Sequence, residues 1–379
     1  MARLGDVATY INGYAFKPSD WSNVGVPIIR IQDLTGNSYQ ANRYNGEYAK
    51  KYEVLPGDVL ISWSASLGVY VWSGEKAVLN QHIFKVVFDK CNVDKSFFVH
   101  QVRNILEKAA TSAHGATMKH LTKPIFDALP FYLPTLEEQN QIAAVLDKVS
   151  DLIAKRRAQL DKLDLLVKAR FVEMFGDPVS NPKNWPLCPL CNCLIKIENG
   201  KSLVCANEAR AGIVPGILKL SAATYGDYRP EENKAMLDAS MFLDSAEVHA
   251  DDLLFTRKNT PELVGMSTYV FETPEKLMMP DLIFRLDTNH RCNKIFLWKL
   301  INHDLFRSKI KALASGSAKS MSNISKERLG NLQIIVPPIE LQGKFDTFVR
   351  QAYAERRKIN CGLEKLETLK KALMQEFFW

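Results

Sequence analysis

The 379-residue sequence contains no long apolar run, and this excludes one broad class of protein. No stretch approaches the roughly 20 consecutive apolar residues that a membrane-spanning helix requires. Residues 1–6 also lack the apolar core of a secretory signal peptide. The seven cysteines are an odd number in so long a chain, which favours reduced thiols over a disulfide framework. These absences predict a protein of the cytoplasm with no membrane association.

Motifs for nucleotide or base chemistry are also missing. No glycine-rich loop of the Gly-x-Gly-x-x-Gly type occurs in the sequence. Residues 200–202, Gly-Lys-Ser, have the order that ends a phosphate-binding loop, but Ile195 stands where its first glycine belongs. The Pro337-Pro338 pair lacks the polar and aromatic neighbours with which methyltransferases hold a flipped adenine. We therefore predict no catalytic residues in this chain.

The composition that is present is ordinary for a globular protein, with a basic excess. Hydrophobic residues make up 46% and charged residues 24%, as in typical folded domains. A chain of this length is expected to form two or three domains. The net charge of +7 suits an anionic partner such as DNA, but many proteins without such a partner have a similar excess. Charge alone therefore assigns no function.

Two segments of the chain align with each other without a gap. They cover residues 133–175 and 336–378, an offset of 203, and 12 of the 43 aligned residues are identical. The identities include a proline and a glutamine at the start and a phenylalanine at the end: Pro134/Pro337, Gln139/Gln342 and Phe175/Phe378. Weaker similarity links residues 4–13 to residues 190–200. The sequence is therefore one unit, a globular domain followed by a long segment, that occurs twice.

The repeated segment has the pattern of a long helix. Residues 137–175 contain neither proline nor glycine, and at about 1.5 Å per residue they form a rod of roughly 58 Å. Apolar residues recur every seven positions in two neighbouring lanes, which is typical of a coiled-coil seam. The predicted seam and partner-subunit contacts are Leu146, Ile153, Leu160, Leu163, Val167, Val349, Ile359, Leu363, Leu366 and Leu373. We expect the two helices to pair; the alternative is that each packs only on its own domain.

The rest of the chain predicts mixed, β-rich globular domains. Short strand-like runs are separated by turn pairs such as Asn12-Gly13, and no regular strand–helix alternation dominates. Residues 97–110 and 295–313 have helical patterns. The fold class is therefore α+β. The expected segments are a first globular domain, a first helix, a second globular domain and a second helix, at residues 1–132, 133–178, 179–335 and 336–379.

Several cysteines near the start of the second domain raise the alternative of a zinc site. Cys188 and Cys191 have the spacing of a zinc knuckle. The internal alignment, however, places Cys191 and Cys193 opposite Gly5 and Val7. These positions favour core or turn residues with small side chains. We therefore predict no metal in this chain.

The order of these features resembles the specificity subunit of Type I restriction–modification systems, over essentially the whole chain. The most specific motif is Leu-Pro-x-Leu-Glu-Glu-Gln-x-x-Ile at residues 133–142, where the first predicted helix begins. Its repeat lies at residues 336–345. Phe-Gly-Asp-Pro at residues 175–178, where the first helix ends, and Leu-Gly-Asp at residues 4–6, near the start of the first domain, also agree with this family. The second domain departs from the pattern, because Leu-Cys-Asn-Cys stands at 190–193.

This resemblance implies a DNA-reading function without catalysis. Each globular part would be a target-recognition domain that reads one half of a bipartite site in double-stranded DNA. The two helices would pair as an antiparallel coiled coil, in a pseudo-two-fold repeat, and would set the gap between the halves. Two methyltransferase subunits and restriction–translocase subunits would be partners, and S-adenosylmethionine, ATP and magnesium would bind to those subunits. The alternative is a coiled-coil scaffold that assembles partner proteins without reading DNA.

Direct readout of bases requires side chains with hydrogen-bonding groups on exposed loops, and phosphate contacts require basic ones. The candidates in the first domain are Lys17, Arg30, Gln32, Ser62, Ser64, Gln81, His82 and Lys119. The candidates in the second domain are Lys201, Lys219, Thr256, Arg257, Lys258, Asn259, Lys319 and Ser320. The loops at 113–119 and 315–321 occupy equivalent positions of the repeat. For each residue the alternative is a solvated surface group.

Overall fold

A computed structural model describes residues 1–37, 42–112, 122–315 and 321–378, and the chain divides into two compact units. Unit 1 comprises Met1–Arg157 and Asn360–Trp379, and unit 2 comprises Ala158–Ile359. Both boundaries fall inside 40-residue helices, so each unit contains part of both. We call these helices, Leu136–Phe175 and Ile339–Phe378, the first and the second long helix. No helix among the described residues is long and apolar enough to cross a membrane.

Unit 1 contains two four-stranded sheets. The larger sheet is antiparallel, with strands in the order Thr9–Asn12, Ile83–Val87, Val59–Ser62 and Gly68–Val71. The smaller sheet has the order Arg43–Tyr44, Val26–Ile29, Ala77–Leu79 and Glu53–Val54. Its two central strands are parallel. The further elements of unit 1 are the paired strands Ala2–Arg3 and Pro130–Phe131 and the helices Leu4–Val7, Ile31–Leu34, Lys95–Ser112 and Lys123–Asp127.

Unit 2 repeats this plan with different residues. Its larger sheet has the order Leu194–Asn199, Ile283–Thr288, Leu253–Thr256 and Ser267–Tyr269. Its smaller sheet has the order Asn233–Ala235, Gly216–Leu218 and Leu277–Met278, and the last two strands are parallel. Two strand pairs complete the sheets, Leu187–Pro189 with Gln333–Ile335 and Lys258–Asn259 with Ser322–Asn323. The shorter helices are Lys294–Ile301, Arg307–Ala312 and Lys326–Gly330.

The first long helix begins and ends at residues with a capping function. The backbone N–H of Glu138 donates to Oγ1 of Thr135, and the backbone N–H of Thr135 donates to the Glu138 carboxylate. This reciprocal pair satisfies N–H groups that have no partner inside the helix. Gly176 follows the helix with φ +78°, and its N–H donates to the carbonyl of Val172. A left-handed glycine in this position is a common way to end a helix.

A buried glutamine joins each long helix to its globular domain. In unit 1, Gln139 donates to the carbonyl of Pro134 at 2.9 Å and accepts from the backbone N–H of Asp94 at 2.9 Å. In unit 2, Gln342 donates to Pro337 at 2.7 Å and accepts from Asn293 at 2.8 Å. Asp94 and Asn293 cap the N-termini of equivalent domain helices. The aligned proline and glutamine of the repeat therefore form the same junction twice.

The two long helices contact each other within each unit. In unit 1, Arg157 pairs with Glu367 at 2.7 Å. In unit 2, Arg356 pairs with Asp164 at 2.7 Å, while Phe345 packs on Phe175 with the ring centroids 5.3 Å apart. In unit 2 the two long helices therefore run in opposite directions.

The ten predicted seam residues have reduced exposure. Leu146, Ile153 and Val349 are buried. The other seven are half-buried: Leu160, Leu163, Val167, Ile359, Leu363, Leu366 and Leu373. Some apolar side chains of the same helices lie outside this set, and Leu165 is 65% exposed. The burial agrees with the seam assignment, and its role in binding partner subunits stays a prediction.

His100 joins a domain helix to the first long helix in unit 1. Its Nε2 lies 2.8 Å from Oδ1 of Asp147, which also accepts a hydrogen bond from Ser96 at 2.6 Å. The ring is buried, and burial lowers the pKa of His100, although the Asp147 carboxylate acts in the opposite direction. The positive charges of Lys370 and Arg103 lower the pKa further. The His100 imidazole therefore binds a proton less readily in the folded unit than in the unfolded chain.

This difference predicts a pH-dependent stability of unit 1. The contribution of His100 is complete above the unfolded pKa of about 6.5 and is lost as the pH falls through the lower folded pKa. The slope is at most about 1.4 kcal/mol per pH unit. We expect His100→Gln to lose less stability than the wild type between pH 7.5 and 5.5, measured by urea unfolding. Equal losses for the two proteins would contradict this assignment.

Candidate nucleic-acid interface

The ends of three strands meet at one edge of unit 1, namely those of Thr9–Asn12, Val26–Ile29 and Ala77–Leu79. The strand Thr9–Asn12 leads into Gly13 and Tyr14, and the N–H of Tyr14 donates to the carbonyl of Leu79 at 2.8 Å. The N–H of Gln81 then donates to the carbonyl of Tyr14 at 2.8 Å. A Cβ at Gly13 would lie 2.0 Å from the carbonyl oxygen of Asn80, so only glycine fits this close approach. The loops that leave these strands are thereby held side by side.

Aromatic and basic side chains lie together at this edge. The Tyr14 ring contacts those of Phe16 and Tyr52, with centroids 4.9 and 5.7 Å apart. The ammonium of Lys51 lies 5.0 Å from the centre of the Tyr52 ring. Trp21, 42% exposed, has the guanidinium of Arg30 5.7 Å from its ring centre. This combination of cations and π-faces is typical of surfaces that bind nucleic acid. Neither Tyr14 nor Trp21 is among the residues that the sequence predicts to contact DNA.

Five candidates of the first domain lie on the loops that leave these strands or beside them. Lys17 is exposed and follows Tyr14, while Gln81 and His82 are half-buried beside it. Gln32 is half-buried on the helix Ile31–Leu34. Arg30 is mostly covered, since only 14% of its side chain is exposed, and its Nε lies 3.6 Å from the Asp33 carboxylate. These residues remain candidates for DNA contacts.

Two other candidates of the first domain are corrected by the structure. Ser62 and Ser64 are buried, at 0% and 5% exposure. The hydroxyl of Ser62 donates to the carbonyl of Ser66. The strand Val59–Ser62 is covered on both faces, so a polar residue at its end does not reach solvent. We exclude both serines from the candidate surface.

Unit 2 builds a similar frame around Gly200. The N–H of Lys201 donates to the carbonyl of Met279 at 3.1 Å, and a Cβ at Gly200 would lie 2.0 Å from that oxygen. Lys201 is exposed. Lys219 follows the strand Gly216–Leu218 and lies 3.7 Å from the Glu232 carboxylate. Lys219 and Lys234 line one cavity of about 280 Å³. Both sequence-predicted lysines, Lys201 and Lys219, therefore remain candidates.

The run from Thr256 to Asn259 is the second correction. It was expected to be a loop rich in hydrogen-bond donors, but Thr256 and Asn259 are buried. Thr256 donates to the carbonyl of Met266 at 3.1 Å, and Asn259 donates to Oγ1 of Thr224 at 3.1 Å. Both side chains donate to groups inside unit 2, so we exclude Thr256 and Asn259 from the candidate DNA-binding surface.

Arg257 and Lys258 are half-buried members of the same run. The Arg257 guanidinium donates to Oδ1 of Asn323 at 3.2 Å and lies 5.1 Å from the centre of the Phe284 ring. In unit 1 the equivalent Trp63 stacks on Phe84 at 5.6 Å. Arg257 therefore has a packing role in the structure, and Lys258 keeps its status as a candidate. The remaining candidates, Lys119, Lys319 and Ser320, lie outside the described residues.

The cysteines near the start of the second domain contribute to its core. Cys188, Cys193 and Cys292 are buried, and the sulfurs of Cys188 and Cys193 lie 3.5 Å apart. Burial raises the pKa of the Cys188 thiol. Cys191 is exposed. In the part of the chain that the structure describes, no group of three or more histidine, cysteine or acidic residues is arranged to hold a metal ion.

Comparison with known proteins gives consistent matches. Residues 1–163 match a family model described as the Type I restriction modification DNA specificity domain. The chain is 32% identical over 168 residues to the EcoBI specificity subunit of Escherichia coli, covering 44% of this chain and 35% of that protein. It is 21% identical over 419 residues to the EcoKI specificity subunit of Escherichia coli strain K12, covering 100% and 88%. The chain thus spans about a third of the first relative and most of the second.

The fold is also similar to that of a solved structure. The crystal structure of the S subunit of a Type I restriction–modification system from M. genitalium aligns with a TM-score of 0.60 at 13% identity. The alignment covers 100% of this chain and 95% of that one. At this identity the likeness shows the fold alone. The chain is therefore similar, in sequence and in fold, to the specificity subunits of Type I restriction–modification systems.

Proposed function

We propose that this chain selects the DNA sequence on which a Type I restriction–modification complex acts, each globular part reading one half of a bipartite site. The observation that carries this proposal is the frame around Gly13 and Gly200, where in each unit the residue after the glycine donates a backbone hydrogen bond to the end of a neighbouring strand. The side chains exposed on the two frames differ. A shared frame with different exposed groups is suited to reading two different half-sites.

The long helices are the proposed spacer between the two reading surfaces, paired as an antiparallel coiled coil. The contacts of Arg356 with Asp164 and of Phe345 with Phe175 support this pairing in unit 2. Asp164 and Glu367 occupy equivalent positions of the repeat, and each pairs with an arginine of the other long helix. The same type of cross-helix contact therefore occurs in both units.

The chemistry of the complex is assigned to partner subunits. Two methyltransferase subunits would dock on this chain, and restriction–translocase subunits would join them, with S-adenosylmethionine, ATP and magnesium on those partners. This function places the chain in the cytoplasm. A scaffold that only assembles partners is the competing function, but it gives no reason for the exposed aromatic and basic groups beside Tyr14.

A methylation map tests the proposal directly. The chain would be assembled with its methyltransferase subunits, and DNA of random sequence would be methylated and sequenced. We expect one motif with two specified parts and a fixed gap. Methylation without sequence preference, or no bipartite footprint on DNA, would leave the scaffold as the function.

Shortening the spacer is expected to shorten the gap. Deleting the equivalent seven-residue segments 154–160 and 357–363 removes two helical turns from each long helix and preserves the seven-residue register. The loss of about 10 Å of helix corresponds to roughly 3 base pairs of DNA. The map should show the same half-sites with a gap about 3 base pairs shorter. Substituting Lys155 and Lys358 with alanine, inside the same segments, is the control and should leave the gap unchanged. An unchanged gap in the deletion variant would rule out the spacer role.

A further inference from the structure

The four residues after each frame glycine have the same arrangement in the two units. We call residues 14–17 and 201–204 the post-glycine segments. Tyr14 is 46% exposed and Lys17 is exposed, while Phe16 between them is buried. Lys201 is exposed and Val204 is 82% exposed, while Leu203 between them is partly buried. In each segment the third residue therefore lies toward the interior and the other three are exposed.

The buried residue of each segment packs at the same place in the fold. Phe16 contacts Ile28 and Val78, which lie on the two parallel strands of the smaller sheet. Leu203 packs against Ile217 and Met278, which occupy the equivalent parallel pair in unit 2. With the backbone hydrogen bond of Tyr14 or Lys201 on one side and this apolar contact on the other, each segment is held at both ends. Its exposed side chains are consequently presented from a fixed backbone.

The exposed side chains differ in chemistry between the units. The first segment offers the aromatic ring of Tyr14 and the ammonium of Lys17, and the second offers the ammonium of Lys201 and the methyl groups of Val204. Within the described residues, neither lysine ammonium has a hydrogen-bond or ion-pair partner, whereas the Ser202 hydroxyl donates to Asp281. A free lysine ammonium can donate to guanine in the major groove, and an aliphatic side chain can contact the methyl group of thymine.

We propose that residues 14 and 17 in unit 1, and residues 201 and 204 in unit 2, are specificity-determining residues that contact bases of the two DNA half-sites. This inference rests on the proposed function and identifies the same two positions in each domain. Lys17 and Lys201 are candidates for DNA contacts from residue type alone. The structure adds Tyr14 and Val204 to them, because these occupy equivalent exposed positions.

Exchange of the exposed residues between the segments tests this proposal. The variant Tyr14→Lys with Lys17→Val gives unit 1 the exposed groups of unit 2 and keeps Gly13 and Phe16. We expect the methylation map to change in one half-site only, with a shift in base preference of about tenfold or more at one position. The other half-site and the gap should stay as in the wild type. The reciprocal variant, Lys201→Tyr with Val204→Lys, should change only the other half-site.

A lysine at the opposite end of the same sheet provides the matched control. Lys90 is exposed and follows the strand Ile83–Val87, at the end that pairs with Thr9. Lys90→Val removes the same charge as Lys17→Val and should leave the motif unchanged. Melting temperatures equal to that of the wild type would show that the exchange variants are folded.

The possible outcomes separate the two proposals. A folded exchange variant that methylates the wild-type motif with wild-type preference overturns the assignment of these residues. A lower level of methylation at an unchanged motif also overturns it, because the residues would then affect binding without reading bases. Failure of the wild-type complex to yield any bipartite motif would instead overturn the proposed function.

Discussion

Gln342→Leu is expected to destabilise unit 2 by about 3 kcal/mol. The leucine fills a similar volume but cannot accept from the N–H of Asn293 or donate to the carbonyl of Pro337, which Gln342 contacts at 2.8 and 2.7 Å. Both groups would be left without their partner in a junction where the glutamine is fully buried. Each buried polar group that loses its hydrogen bond costs about 1–3 kcal/mol. Urea unfolding would measure the total.

Local measurements distinguish this mechanism from a general loss of packing. Hydrogen exchange should increase first in the helix Lys294–Ile301, because its N-terminal cap residue Asn293 loses the bond to Gln342. Gln351 is exposed on the same long helix, and Gln351→Leu is the matched control with an expected change within about 0.5 kcal/mol. A loss below that size for Gln342→Leu would contradict the junction role.

The long helices and their junctions follow from the sequence because their signals are local. The seven-residue spacing of apolar side chains, the Thr135–Glu138 pair and Gly176 all act within a few residues of the backbone that they shape. The repeat adds a long-range signal, because it aligns Gln139 with Gln342. Their pairing with Asp94 and Asn293 required the structure, since those partners lie 45 and 49 residues away in sequence.

The segment 295–313 shows where a local pattern is insufficient. It was predicted as one helix and is two, Lys294–Ile301 and Arg307–Ala312. Between them Asn302 turns its side chain to the strand Ser267–Tyr269, donating to the carbonyl of Ser267 at 2.7 Å and accepting from its N–H at 3.0 Å. This contact spans 35 residues of sequence. Local helix propensity contains no information about it.

The candidate surface was only partly predictable for the same reason. Residue type favoured Ser62 and Thr256 as exposed hydrogen-bonding groups, but both end strands that are covered on two faces by segments elsewhere in the chain. Tyr14 was missed because an aromatic residue in a β-rich domain is most often part of the core. A usable signal was nevertheless present. The alignment of Gly13 with Gly200 marked the position from which the post-glycine segments leave their strands.

The largest single loss of stability is expected for Phe345→Ala in unit 2. The Phe345 ring is fully buried and meets Phe171 and Phe175 in edge-to-face contacts, with centroids 5.6 and 5.3 Å apart. These rings lie on the two long helices and join them to the core that contains Phe296. Removal of a buried phenylalanine ring costs about 3–5 kcal/mol, through lost burial and the cavity that remains. Urea unfolding should show this loss.

Two companion variants make the Phe345 prediction specific to that cavity. Phe345→Leu refills most of the volume and should cost less than about 1.5 kcal/mol. The repeat places Ile142 at the equivalent position of the first long helix, where it is half-buried in unit 1. Ile142→Ala should therefore cost less than Phe345→Ala, because a partly exposed side chain loses less burial and leaves a site open to water. Equal losses for these two alanine variants would mean that the phenylalanine cluster does not hold the long helices together in unit 2.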